Sequence, residues 1–295
     1  MAEPFKKVVL LGCGMIGSSF GLALRQRGLA DQIVGLGRRI ETLDTALQLG
    51  AITSYDTDVA RAVQGADLVY LATPVHTLRQ YLAQILPLVE SDCLVTDGGS
   101  IKASLIAEAE SAPRGCERFV GGHPMAGSEK TGPEHGDPDL FVGASYYIVP
   151  GPRSDPAAIL RLEETVSALG SLPVRIQPEL HDELVAWTSH LPHAAVYALA
   201  YTIGQSDVPD ELLAHGIGGG LRDSTRVASS SAAMWCDIFL DNSEHVTDLI
   251  RLLRATLERL ELLIQEGDPE ALQSFLEEAR RQRERLIALR QLGRG

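Results

Sequence analysis

Lys7–Phe20 reads KVVLLGCGMIGSSF, and this stretch decides the fold. Lys7 to Leu11 is a β-branched and leucine run of strand length, and an amphipathic helical pattern follows at once. Between the two, Gly12, Gly14 and Gly17 make a GxGxxG in the strand–turn–helix context that gives this motif its meaning. The first glycine permits the tight turn, the second lets backbone approach a pyrophosphate, and the third lets the helix pack closely on the strand. Free N–H groups at the helix start, beside Met15 and Ile16, are suited to hold phosphates. The stretch predicts a dinucleotide-binding βα unit.

Outward from there, strand and helix patterns alternate. QIVGLG ends at Gly37, about where a Rossmann fold that uses NAD carries an acidic residue for the ribose 2′-hydroxyl. Here Arg38 and Arg39 follow instead, and two guanidinium groups can grip a 2′-phosphate, which favours NADP over NAD. ADLVYLATPV reads as a buried strand breaking at Thr73-Pro74, and DCLVTDGGS as another, ending at Gly98-Gly99-Ser100. FVGG, ASYYIVP and PVRIQ read as further strands. The pattern predicts a Rossmann-type, doubly wound, mostly parallel sheet over residues 1–177. From residue 178 to 295 strand signals vanish and long amphipathic helical patterns take over. Their leucine-rich faces are broader than one helical hairpin buries internally, so this helical domain is expected to pack against a second copy as a homodimer.

Composition narrows the function classes. The chain has 295 residues, is 45% hydrophobic and 22% charged, and carries a formal net charge of −13. That balance argues against nucleic-acid binding, which needs a basic surface. No apolar run is long enough to span a bilayer or to make a secretory h-region, so a cytoplasmic protein away from membranes is expected. The cysteines Cys13, Cys93, Cys116 and Cys236 are scattered, which indicates neither a zinc site nor a disulfide framework.

Three stretches carry chemistry. RFVGGHPMAGSEK, Arg118 to Lys130, reads as a short strand after which Gly121-Gly122 turns the backbone and delivers His123 to the rim where ligands sit in open α/β sheets. A structural histidine capping a turn fits the same residues. SHLPH places His190 and His193 at i and i+3 on one helix face that Pro192 can distort, with His181-Asp182 just upstream. No third ligand sits nearby, so no metal site is expected, and the pair reads as core-lining or substrate-facing. GIGGGLRDSTRVASS, Gly216 to Ser230, sets Arg222 and Arg226 on one side of a helix after a glycine turn. An arginine there can clamp a carboxylate, or form a surface ion pair with Asp223.

Taken in order, GCGMIGSS, ATPV, TDGGSIK, GGHPMAGSEKTG, HD…SHLPHA and GGGLRDSTRVA resemble the prephenate and arogenate dehydrogenases of tyrosine biosynthesis over nearly the whole chain. The resemblance implies an NAD(P)-dependent oxidative decarboxylation. Hydride leaves the ring carbon bearing the hydroxyl, carbon dioxide leaves the carbon opposite, and the ring becomes aromatic. It implies that His123 accepts the hydrogen bond of the ring hydroxyl, with an acid limb of activity near an ordinary histidine pKa. It further implies that Ser100 shares that hydroxyl, that Lys102 is a cation lining the site, and that Arg226 grips a substrate carboxylate. His190 and His193 would line the same pocket, and Asp223 or Glu129 would favour the ammonium group of arogenate. Gly12, Gly14, Met15, Ile16, Gly17, Arg38, Arg39, Thr73 and Pro74 would hold the cofactor. The chain lacks the family's optional fused chorismate mutase and C-terminal regulatory domain, which with the paired arginines tilts the expectation toward arogenate. Two rivals share this architecture: a β-hydroxyacid or imine-reductase type of dehydrogenase, and a non-catalytic NADP-binding regulator. The hydroxyacid enzymes would carry a lysine where this chain has Arg222 and Arg226, and the regulator would have no use for His123, Ser100 and Arg226 together.

Overall fold

The computed structural model describes residues 3–292. Eight strands form one sheet: β1 (Phe5–Leu11), β2 (Ala30–Leu36), β3 (Ser54–Asp56), β4 (Leu68–Leu71), β5 (Leu94–Asp97), β6 (Phe119–Pro124), β7 (Ser145–Pro150) and β8 (Leu172–Arg175). The helices α1 (Met15–Gln26), α2 (Ile40–Gln48), α3 (Val59–Val63), α4 (Val75–Ile85), α5 (Ala103–Ser111) and α6 (Pro156–Ala168) lie between them. Then come α7 (Pro178–Val185), α8 (Leu191–Ile203), α9 (Asp210–Gly216), α10 (Gly219–Thr225), α11 (Ala232–Asp241), α12 (Ser243–Glu266) and α13 (Pro269–Leu292).

The strand order is β3-β2-β1-β4-β5-β6-β7-β8. Every pairing is parallel except β6 with β7, where His123 stands opposite Tyr147. No α-helix separates those two strands, so the chain returns without the crossover that parallel pairing requires. Alternate residues of one strand feed two cores. Val8 and Leu10 pack with Phe20, Leu24, Leu162 and Val166 on one face, while Val9 and Leu11 pack with Leu78, Leu82, Leu105 and Ile106 on the other. Helices therefore cover both faces, the doubly wound arrangement. β1 and β4 are neighbours, so the strand order reverses between them and a crevice opens beyond their carboxyl ends.

The change from mixed to all-helical structure falls between Arg175 and Pro178. By contacts, however, the chain divides later, into the compact units Met1–Ser243 and Glu244–Gly295. The reason is that α7 and α11 are tied to the start of α5, where Lys102 N–H donates to Asp182 and Ser104 Oγ to Asp241. A π-type turn, Ala186–His190, joins α7 to α8. Pro192 sits in the first turn of α8, where its missing N–H leaves the preceding turn free to widen. In the second unit Gly267 adopts a left-handed φ of 68° and Asp268 accepts the N–H of Glu270 at 3.0 Å, ending one helix and capping the next. No described helix is long and apolar enough to cross a membrane.

Candidate active site

The glycine turn behaves as its spacing demands. Gly12 has φ +90°, and a Cβ there would lie 2.7 Å from the carbonyl oxygen of Ala72. A Cβ on Gly17 would fall 2.0 Å from the carbonyl oxygen of Gly12, so helix and strand meet backbone to backbone. Nothing lies within 4 Å of a Cβ built on Gly14, which leaves the N-terminus of α1 open. No side chain caps that terminus and no acidic residue occupies its first turn. Thr73, at the end of β4, presents a buried hydroxyl with no hydrogen-bond partner beside this turn. An open helix start, a close glycine and an unsatisfied hydroxyl together suit a dinucleotide's phosphates. Arg38 and Arg39 follow β2 on the exposed surface, and neither forms an ion pair among the described residues.

His123 is buried inside β6 rather than beyond its end. Gly121 and Gly122 correspondingly serve a different purpose from the turn expected of them. Neither has a positive φ, but a Cβ on Gly122 would meet the carbonyl oxygen of Asp97 at 2.5 Å. They let β6 pass close to the end of β5. The carboxylate of Asp97 then ties the two strand ends together, accepting Gly122 N–H at 3.0 Å and Gly99 N–H at 2.8 Å. Ser100 rides on that tethered turn, half-buried, one residue beyond Gly99. Past His123 the loop folds over the start of α1, bringing Ser128 Oγ to 3.4 Å from Met15 Sδ. The cofactor turn, the Ser100 turn and His123 thus share one rim.

Lys102 does not line the site as a free cation. Its side chain is 0% exposed and its ammonium is ion-paired and hydrogen-bonded to Asp97. Burial pushes the Asp97 carboxyl up, and Lys102 with the two backbone N–H groups opposes that shift. A charge enclosed in this way is committed to its partner.

His123 Nδ1 lies 2.8 Å from His181 Nε2, and His181 Nδ1 lies 2.7 Å from Asp182 Oδ1. Both rings are buried. Burial, then the charges that His181, Lys102 and His190 carry or acquire, hold His123 well below the ordinary histidine pKa, so its imidazole is neutral near pH 7. His181 is lowered by burial as well, with Asp182 pulling the other way. Asn242 Nδ2 donates to the main-chain oxygen of Asp182 at 2.9 Å and reaches His190 Nδ1 at 3.1 Å, which therefore accepts. Trp235 joins the two remaining histidines. His193 stacks on it with ring centroids 3.7 Å apart, and His190 meets it edge-on at 5.9 Å. Arg226 is 62% exposed on its side chain and pairs with Glu129 at 2.9 Å, not with Asp223. Asp223 is exposed and lies 3.6 Å from Arg222.

His181, Asp182, Asp97, Asn242 and Trp235 were not assigned from sequence. One signal was available: Pro178, His181, Asp182 and Val185 are the buried positions of α7, the i, i+3, i+4, i+7 stripe of a core-facing helix. Two polar residues on such a stripe require buried partners.

The fold and this rim define a Rossmann-type dehydrogenase, with a dinucleotide turn and a buried imidazole. Residues 20–173 match the family model of the prephenate dehydrogenase nucleotide-binding domain, and residues 177–278 match that of the prephenate dehydrogenase dimerization domain. Prephenate dehydrogenase of Bacillus subtilis is 32% identical over 287 residues, 97% of this chain and 77% of that protein. The crystal structure of prephenate dehydrogenase from A. aeolicus in complex with hydroxyphenyl propionate and NAD+ is 33% identical, with a TM-score of 0.89 over 97% of this chain and 100% of that one. Synechocystis arogenate dehydrogenase is 27% identical, with a TM-score of 0.79 over 95% and 99% of the two chains. The chain belongs to the prephenate dehydrogenase family.

Proposed function

We propose that this chain oxidatively decarboxylates a cyclohexadienyl diacid, prephenate or arogenate, with NADP favoured over NAD. The observation that carries the reading is the buried imidazole of His123, flanked by the Ser100 turn and by the loop that folds over the start of α1. The cofactor, when bound, supplies a hydride acceptor. His123 takes the hydrogen bond, and then the proton, of the ring hydroxyl as it becomes a carbonyl. Ser100 shares that hydroxyl. The remaining demand on the protein is alignment, since aromatisation makes the reaction downhill. Arg226 holds a substrate carboxylate through its fork of donors, and the His190–Trp235–His193 cluster forms the wall of the pocket. Arg38 and Arg39, exposed after β2 and without ion-pair partners among the described residues, receive the 2′-phosphate.

Residues 178–295 act as the substrate-binding and dimerisation half of a homodimer. α8 supports this: LPHAAVYALAYTI has no buried residue, with Leu199 at 43% and Tyr201 at 74% exposure. The reading is tested by mixing purified protein with prephenate or arogenate and with NADP or NAD, and following reduced nicotinamide. Turnover of at least one diene, faster with NADP, is expected. Dinucleotide binding without turnover of either diene contradicts it.

A further inference from the structure

We infer that His181 and Asp182 are positioning residues that keep the proton of His123 on Nδ1, leaving Nε2 as a bare lone pair facing substrate. The inference rests on the proposed role of His123 as proton acceptor and specifies how that role is prepared.

The hydrogen bonds of Asp182 have only one consistent direction. Its Oδ1 lies 2.8 Å from the backbone nitrogen of Lys102, and its Oδ2 lies 2.8 Å from that of Ala103. Backbone N–H groups only donate, so both oxygens accept, as a carboxylate does. The same Oδ1 is 2.7 Å from His181 Nδ1, which must therefore carry a hydrogen. A neutral imidazole has one N–H, so His181 Nε2 is bare. That nitrogen meets His123 Nδ1 at 2.8 Å, and a hydrogen bond of this length needs one proton between the two rings. The proton belongs to His123 Nδ1.

The ionisable groups around His123 agree with two neutral rings. Lys102 precedes α5, Asp97 ends β5, His190 closes the π-type turn, and Tyr147 stands opposite on β7. Burial, with His181, Lys102 and His190, disfavours a second proton on His123, and burial with Lys102 disfavours one on His181 against the pull of Asp182 and Asp97. The carboxylate of Asp182 is itself anchored at the start of α5, the helix behind the Ser100 turn. One carboxylate therefore sets both the helix that carries the turn and the tautomer of the imidazole beside it. A histidine with its hydrogen on Nε2 could donate to the ring hydroxyl but not take its proton. Loss of a partner that fixes a catalytic tautomer costs up to about 10⁴ in kcat in a known case.

The test is nitrogen-15 spectroscopy of histidine-labelled full-length protein near pH 8, with His123 identified as the ring signal missing from H123N. Wild-type protein is expected to show the His123 hydrogen on Nδ1; a hydrogen on Nε2 overturns the inference. H181L should lower kcat at least about tenfold, with KM and dinucleotide affinity unchanged. H181Q, whose carbonyl reaches the place of Nε2, should restore most of that loss. Wild-type kcat in H181L also overturns the inference. The two readings fail separately, because full activity in H123N would end the catalytic role of His123 while leaving the tautomer visible in the wild-type spectrum.

Discussion

The guanidinium of Arg226 meets the carboxylate of Glu129 at 2.9 Å, joining the segment after α10 to the loop that follows β6. Both side chains reach solvent, so the pair itself adds little to stability, on the order of 0–1 kcal/mol. Its consequence is placement: Arg226 is held over the His123 loop with donors left for a second carboxylate. R226A is therefore expected to raise KM by roughly 2–4 kcal/mol of lost charge-assisted binding, with a small change in melting temperature. Steady-state kinetics and a thermal melt check this together, and an unchanged KM would remove Arg226 from the site.

Lys102 illustrates the opposite case. Its ammonium and the Asp97 carboxylate are both fully enclosed. Removing one partner strands a buried charge and costs about 3–5 kcal/mol. K102M should thus shift the urea unfolding midpoint strongly. A stable K102M protein whose only defect is a higher KM would restore Lys102 as a substrate ligand.

The acid limb of activity is expected below the ordinary histidine pKa of about 6.5. Burial, with His181, Lys102 and His190 nearby, lowers the pKa of His123, and the imidazole accepts a proton only while neutral. Stability follows the same sign. Below about pH 6.5 the unfolded chain binds a proton at this position that the folded chain refuses, so folding is favoured less as pH falls toward the lowered value. A kcat/KM profile and melts from pH 5 to 8 measure both. An acid limb above about 6.5 would contradict the burial argument.

The dinucleotide turn and the doubly wound sheet were legible because their causes are local. Gly12 needs a positive φ, Gly17 needs backbone contact, and hydrophobic runs of strand length need two covered faces. His123 was legible as a residue but not as a geometry. Its glycines were expected to turn the chain, whereas they admit β5 at close range, a demand visible only once the strands are paired. The burial of Lys102 was hidden for the same reason, because Asp97 lies five residues away and the enclosure comes from β6 and α7. The α7 stripe marks His181 and Asp182 as buried, but their partners and those of Asn242 lie 52 to 80 residues away in the chain, and no local pattern names them.

Arg38 and Arg39 are exposed just after β2, and Gly37 stands where an acidic residue would reach the ribose. R38A/R39A should move the ratio of kcat/KM from NADP toward NAD by more than about tenfold, the worth of one charge-assisted contact. An unchanged ratio would place the 2′-phosphate elsewhere.

Every step in the proposed chemistry passes through the imidazole of His123. The most direct measurement is the turnover number of H123N alongside its dinucleotide affinity. Turnover is expected to fall by about 100-fold or more while dinucleotide affinity stays at the wild-type value. Turnover within a few-fold of wild type would show that a different group accepts the proton.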